Sequence, residues 1–498
     1  MRPSAAAALV FLSSAAVLVL EILAARLMAP YVGATLETYT AIIGTILAGI
    51  ALGSWYGGLV ADRRDPRRLI GPLLIAGGVL GFATIPIIDG LGGGLRGAGA
   101  LTTTILTAFA FLAPAAVLSA VTPAVIKLQL ASLDETGTIV GRLSGISTAG
   151  AIIGTFLTGF VLVALAPTRS IVRGTSAFLI VLGLVVMFRL VGARRAGAGT
   201  AVAVLLGAGF SFASSHPCEH ESRYYCAFVT ADEERADGRA LWLDTLRHSY
   251  VDLEDPTHLE FGYTRLFGDV ADTFRPPGEP VTALHVGGGG FTMPRYLRET
   301  RPGSEHLVLE LDPLLVDIST QQLGLELNDD IEVVTGDART AIRQAPDDAF
   351  ELVIGDAFGG ISVPWHLATL EFQRDLSATM TDDGVYVANV VDHGPRDFLR
   401  AYLATIGEEF AHVALLGEPD RLGPRDQHGG GNFVIVASHA PLDGETLQER
   451  IARGGTERVV TGAELERFVG SAPVLTDDDA PVDQLLTPLP TPAQRAAG

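Results

Sequence analysis

The chain of 498 residues is 48% hydrophobic and only 18% charged, with a mean hydropathy of +0.36, a composition that excludes an ordinary water-soluble enzyme of this length. Its net charge of -21 is divided: residues 1–215 carry 14 Lys+Arg against 7 Asp+Glu (+7), which leaves 21 against 49 (-28) for residues 216–498. So acidic a half excludes nucleic acid as a partner, because nothing on it replaces the counterions of a phosphate backbone, and it suits cationic ligands.

Through residue 215, apolar runs alternate with short polar or Gly/Pro breaks, and about 20 residues of helix cross a bilayer core. Seven spans are expected, starting near Ala5, Tyr39, Leu69, Thr102, Ser144, Ile171 and Ala198, the last being the shortest. Ten Lys and Arg fall on the side of Arg2 and the "DRRDPRR" loop (Arg63, Arg64, Arg67, Arg68), and three on the other. The richer side is cytoplasmic by the positive-inside rule. With an odd number of spans the chain is then a multi-pass protein of the cell membrane whose acidic half lies outside the cytoplasm. Glu21 is the one carboxylate well inside a span, where an ionised side chain costs a few kcal/mol unless paired or wetted. It is either a proton or cation ligand or half of an ion pair, with Arg26 the nearest candidate. The stretch "GSWYGGLVADRRDPRR" resembles the loop between the second and third helices of major-facilitator transporters.

Cys218 and Cys226, the only cysteines, fall just past the seventh span. In an oxidising compartment such a pair bridges; two reduced, buried thiols are the alternative. His216 and His220 crowd the same residues without a second pair of ligands at zinc spacing, so no metal is expected.

From about Val281 short apolar strands alternate with amphipathic stretches, the pattern of βαβ units around a parallel sheet. "VTALHVGGGGFTMPRYL" reads as a strand, a glycine turn beginning at Gly287, and a helix start. "HLVLELDP" ends the next strand at Glu310, 23 residues after Gly287, the spacing of an acid that reaches a ribose diol. "IEVVTGDA" and "FELVIGDAFGG" end two more strands at Asp337 and Asp356. Each acid alone is equally a helix N-cap, but three at successive strand ends favour one ligand crevice. "GNFVIVAS" reads as a late strand, and Asp477, Asp478 and Asp479 as a solvated turn.

These stretches, with "HLATLEF" at 366–372 and "GVYVAN" at 384–389, resemble the spermidine synthases, or polyamine aminopropyltransferases, in the form fused behind membrane helices. The resemblance implies an N-terminal α-helical transmembrane bundle (1–215), a β-rich layer (216–275) that includes a β-hairpin, and an α/β Rossmann-like, methyltransferase-type domain (276–498). It implies that Gly287, Gly288 and Gly289 line a sulfonium nucleoside, that Glu310 holds the ribose hydroxyls and Asp337 the adenine amino group, and that Asp356 is the catalytic acid that accepts a proton from the attacking amine. His248 stands at the position of a nucleoside-contacting glutamine and Tyr263 walls the amine channel. The implied reaction moves an aminopropyl group from decarboxylated S-adenosylmethionine, a co-substrate and not a tightly bound cofactor, to an amine such as putrescine. The lipid bilayer is a further expected partner and a homodimer a candidate assembly. The chain departs from the family in two places: Gly290 stands where an acid binds the aminopropyl end, and the pair Phe358 and Gly359 stands where a second acid follows the catalytic one. The alternatives are a non-catalytic nucleoside or polyamine receptor coupled to the helices, or a methyltransferase on the same fold.

Overall fold

The computed structural model describes residues 1–33, 36–95, 100–130, 132, 135–191, 198–214, 218–358, 363–423 and 430–487. The chain divides into two units, Met1–Phe228 and Val229–Pro490.

Among the described residues the first unit has six helices long and apolar enough to cross a bilayer: Pro3–Val32, Thr38–Arg63, Pro66–Gly92, Leu101–Gln129, Thr136–Leu165 and Thr168–Val191. The seventh expected span is a helix of 16 residues, Ala198–Ala213. At 1.5 Å per residue its described part is about 24 Å long, less than a hydrocarbon core of about 30 Å, so it does not stand among the six described helices long enough to cross. Glycine stripes bring the helices together. A Cβ at Gly53 would stand 2.0 Å from the Ala116 carbonyl oxygen, and one at Gly150 2.3 Å from that of Phe11, so Thr38–Arg63 and Leu101–Gln129, and Pro3–Val32 and Thr136–Leu165, touch along their backbones.

Cys218 and Cys226 are bonded, with Cα atoms 5.2 Å apart. Their loop carries β1 (His220–Glu221), paired antiparallel with the start of β2 (Cys226–Ala231). Arg26 holds the loop: its guanidinium donates to the Arg223 carbonyl at 2.6 Å, to the Ser222 carbonyl, and to Glu221 at 3.3 Å. Glu221 in turn accepts from the Thr168 amide at 3.0 Å. Arg26 is therefore the partner of Glu221 and not of Glu21.

The second unit begins with the end of β2, then β3 (Gly238–Leu243) and β4 (Leu246–Asp252), an antiparallel hairpin. A large sheet follows, made of β5 (Thr282–Val286), β6 (Glu305–Glu310), β7 (Ile331–Thr335), β8 (Phe350–Gly355), β9 (Met380–Asp392), β10 (His412–Gly417), β11 (Gly431–Ser438) and β12 (Arg458–Val460). Its order is β12-β10-β11-β9-β8-β5-β6-β7. From β9 to β7 the strands are parallel, but β11 inserts antiparallel between β9 and β10, and β10 pairs antiparallel with β12. The expected parallel sheet is thus a mixed one: β10 and β11 pair directly, without the helical crossover that parallel neighbours require. Both faces are covered. Val385 and Val387 of β9 pack with Phe267 and Val270 of the helix Gly262–Phe274, while Tyr386 and Ala388 face Phe372 and Phe398 on the other side, the alternation of a strand buried twice.

One buried side chain ties the end of the helix Gly262–Phe274 to the end of the helix Thr292–Thr300. Arg301, fully buried, donates to the carbonyls of Ala271, Arg275, Pro276 and Glu279 at 2.9–3.0 Å and to Asp272 at 2.8 Å. Arg301→Met removes these bonds from a buried position while Asp272 keeps Arg450, and a loss of about 1–3 kcal/mol is expected in denaturant titration followed by circular dichroism. Arg301→Lys, which lacks the planar fork, recovers only part of it.

Candidate active site

The carboxyl ends of β8, β5, β6 and β7 lie side by side in that order, and each is followed by one of the expected site residues. With neighbouring strands about 4.8 Å apart, Asp356 beyond β8 and Asp337 beyond β7 are separated by three strand spacings, about 14 Å. The acids therefore form a row along one edge of the sheet, with the glycine turn between Asp356 and Glu310.

The turn needs its glycines. Gly287 has φ +98°, and a Cβ there would stand 2.7 Å from the Asp356 carbonyl oxygen; Gly289 has φ +51°, also the region that favours glycine. Backbone bonds from the Gly287 amide to the Leu309 carbonyl and from the Asp356 amide to the Val286 carbonyl, each 2.9 Å, fix the turn between its neighbours. Phe291 does not enter the crevice. Its ring is fully buried and packs with Val308, Leu325 and Ile331 beneath the turn.

Glu310, at the end of β6, reaches back to the turn. Its Oε2 accepts from the amides of Gly288 at 2.8 Å and Gly289 at 3.0 Å, and its Oε1 from that of Asp312 at 2.8 Å. Burial pushes this carboxyl above its ordinary value, against the pull of the three amides. Two consequences follow. The amides that cradle a phosphate in dinucleotide-binding turns are taken by a carboxylate, so the turn is not built for one. A carboxylate has about four acceptor positions; three are filled, and Glu310 has room for one hydroxyl where a diol was expected.

Asp356 accepts on Oδ2 from the Tyr263 hydroxyl at 3.1 Å and on Oδ1 from the Asn389 side-chain amide at 3.0 Å. Burial raises it to about 6, although both hydrogen bonds favour the charged form. Tyr263 is positioned by ring contacts with Phe261 and Phe267, and burial pushes its hydroxyl well above its ordinary value. Asn389 Oδ1 accepts from Asn432 Nδ2 at 2.9 Å, so the acid is held by a chain of amides from β9 to β11. Neither asparagine was singled out from the sequence. Asn389 closes the stretch "GVYVAN", and its signal was a polar residue at the end of an apolar buried strand.

Asp337 is in part the N-cap that its position allowed. It accepts from the Arg339 amide at 2.8 Å, while Oδ2 lies 3.3 Å from His366 Nε2. Trp365, beside it, is half exposed. His248, on β4, stands over the turn: a Cβ at Gly289 would meet its ring at 3.3 Å. Burial lowers His248 to about 4, so it is neutral at physiological pH. Gly290 is packed under the same strand, its amide donating to Ser249 Oγ at 3.0 Å. An acid cannot stand there, because a Cβ would lie 2.8 Å from Ser249 Cβ. Gly359, the other departure, lies outside the described residues. Among the described residues no group of three or more His, Cys, Asp or Glu could hold a metal ion.

No protein-family model matches the chain. It is 32% identical over 118 residues to the polyamine aminopropyltransferase of Vibrio vulnificus, covering 23% of this chain and 39% of that protein. It is 28% identical over 88 residues to the eEF1A lysine and N-terminal methyltransferase of Danio rerio, covering 17% and 13%. Among solved structures, a probable spermidine synthase from Corynebacterium glutamicum is similar with a TM-score of 0.48 and 24% identity, over 53% of this chain and 97% of that one. The chain spans less than half the length of the two curated relatives. It is a distant relative of the spermidine synthase family.

The packing of β4 on the turn is testable. Gly290→Ala is expected to destabilise the protein by about 1–3 kcal/mol through overpacking. Adding Ser249→Gly should relieve the clash, so that in denaturant titration the double variant is more stable than the sum of the two single changes allows.

Proposed function

We propose that the Val229–Pro490 unit is an aminopropyltransferase-type enzyme that lays a sulfonium nucleoside along the strand-end row and delivers its alkyl group to an amine at Asp356. The observation that carries this reading is Asp356 itself: a half-buried carboxylate beside the glycine turn with both oxygens oriented by Tyr263 and Asn389, and raised to about 6 by desolvation. Glu310 takes one ribose hydroxyl on its remaining acceptor position, Asp337 the adenine amino group, and neutral His248 closes the turn from above. The amine nitrogen attacks the carbon next to the sulfonium; the C–N bond forms as the C–S bond breaks, and its electron pair leaves with sulfur as the thioether of methylthioadenosine. The proton lost by the amine goes to Asp356. No covalent enzyme intermediate is needed, since positioning and one base suffice, and the acidic field favours both cations. Support also comes from the aminopropyltransferase relative and from the absence of free turn amides for a phosphate.

A second reading is methyl transfer. It is favoured by Gly290, which cannot carry the acid that would hold an aminopropyl ammonium, and by the methyltransferase relative. Tighter binding of intact S-adenosylmethionine than of its decarboxylated form would select it.

A base must be ionised to accept a proton, so transfer of a labelled aminopropyl group from decarboxylated S-adenosylmethionine to putrescine should fall as pH drops below about 6. Asp356→Asn should lower the rate roughly 10²–10⁴-fold. Stability runs the other way. A carboxyl whose folded value is raised stabilises the fold at low pH, and that contribution is lost as pH rises through about 6. The same variant should therefore unfold at an equal or higher temperature at pH 8. An unchanged rate, or transfer that does not depend on Asp356, contradicts the proposal.

The proposal includes a membrane-embedded first unit, supported by the exposed Ile152, Ile153, Phe156 and Phe160 on Thr136–Leu165. It places the second unit outside the cytoplasm, supported by the Cys218–Cys226 bond and requiring the short helix Ala198–Ala213 to cross. After mild reduction of intact cells, a membrane-impermeant maleimide should label Cys218, the more exposed of the two cysteines. Labelling only after permeabilisation overturns the placement.

A further inference from the structure

The helical unit contains a pocket of about 310 Å³ that the transfer chemistry does not use. Glu21, Ile22 and Arg26 of Pro3–Val32, Tyr39, Ile42 and Ile43 of Thr38–Arg63, and Val163 of Thr136–Leu165 line it, with Arg223 of the disulfide loop. The walls are mostly aliphatic, and one carboxylate opens into them. Among the described residues nothing hydrogen-bonds or ion-pairs with Glu21. Arg26, the expected counterion, is occupied by Glu221, Thr168 and the carbonyls of Ser222 and Arg223.

An ionised carboxylate against apolar walls is costly unless a cation joins it. A second feature marks the same wall. At Thr158–Leu162 the helix Thr136–Leu165 widens into a π-helical turn, an irregularity concentrated at functional sites, and Gly159 of that turn lines the pocket. The charges limit the ligand. Arg26 and Arg223 line the space beside the single acid; Arg26 is neutralised by Glu221, so Glu21 can balance one ligand charge and a second would find no counterion.

We propose that this pocket binds a monovalent organic amine, its ammonium on the Glu21 carboxylate and its hydrocarbon body against Ile22, Ile42, Ile43 and Val163. The site is independent of the nucleoside crevice and differs from it in kind, since polyamines are excluded here. Two changes separate the contributions of charge and space: Glu21→Gln keeps the shape and removes the charge, while Ile43→Trp fills the pocket and keeps the carboxylate.

The test is calorimetric titration of the full chain in phosphatidylcholine nanodiscs, in an Asp356→Asn background so that the second unit's amine site does not contribute. The probes are n-hexylamine and 1,6-diaminohexane, and thermal unfolding confirms that each variant is folded. Hexylamine should bind saturably and more tightly than the diamine, and Glu21→Gln and Ile43→Trp should each weaken it roughly tenfold or more. Hexylamine heats that are unchanged by Glu21→Gln, or tighter binding of the diamine, overturn the proposal.

Discussion

A carboxylate turned back onto a glycine turn organises the second unit. Glu310 spends three of its acceptor positions on the amides of Gly288, Gly289 and Asp312, and in doing so joins the ends of β5 and β6 through side chain as well as ladder. A buried anion without such partners would be prohibitive. With them it becomes a rigid, negatively charged floor between two parallel strands. That floor decides what kind of ligand suits the crevice: a phosphate would meet a carboxylate where a dinucleotide fold offers free N–H groups, whereas a nucleoside with a cationic sulfur would meet favourable charge.

Around this floor the nucleoside and amine halves of the proposed crevice differ in how closely they follow the family pattern. On the nucleoside side, the glycine turn, Glu310 and Asp337 stand in a row set by strand spacing. On the amine side, Asp356 keeps its orientation through Tyr263 and the Asn389–Asn432 amide pair, but the position before Phe291 has lost any possibility of an acid, because β4 lies directly on Gly290. The loss is thus part of the packing of the hairpin on the turn. Under the proposed transfer, the chemical consequence is a donor whose alkyl end lacks its usual anchor, or a different alkyl group.

Much of this was legible because the strand-end acids, the glycines and the cysteine pair are local signals. A strand ending in an acid looks the same whichever strand lies beside it, so the row was readable residue by residue. Relations between distant strands were not. Nothing in "GNFVIVAS" distinguishes an antiparallel insertion from a parallel continuation, and the Asn389–Asn432 bond joins residues 43 apart. Hydropathy counted Ala198–Ala213 with the spans because it registers apolarity better than length. Arg26 was paired by proximity on its own helix with Glu21, while its partner, Glu221, lies beyond the last helix in the disulfide loop. Charge partners follow three-dimensional packing, which sequence distance does not report.

The central claim is that Glu310 and the glycine turn form the floor of an adenosine-binding crevice. Calorimetric titration of the full chain with methylthioadenosine tests it most directly, since this ligand carries the nucleoside but no amine or reactive sulfonium. The account predicts saturable one-to-one binding that Glu310→Ala abolishes or severely weakens. Absence of binding to the folded protein, or binding indifferent to Glu310→Ala, would contradict it.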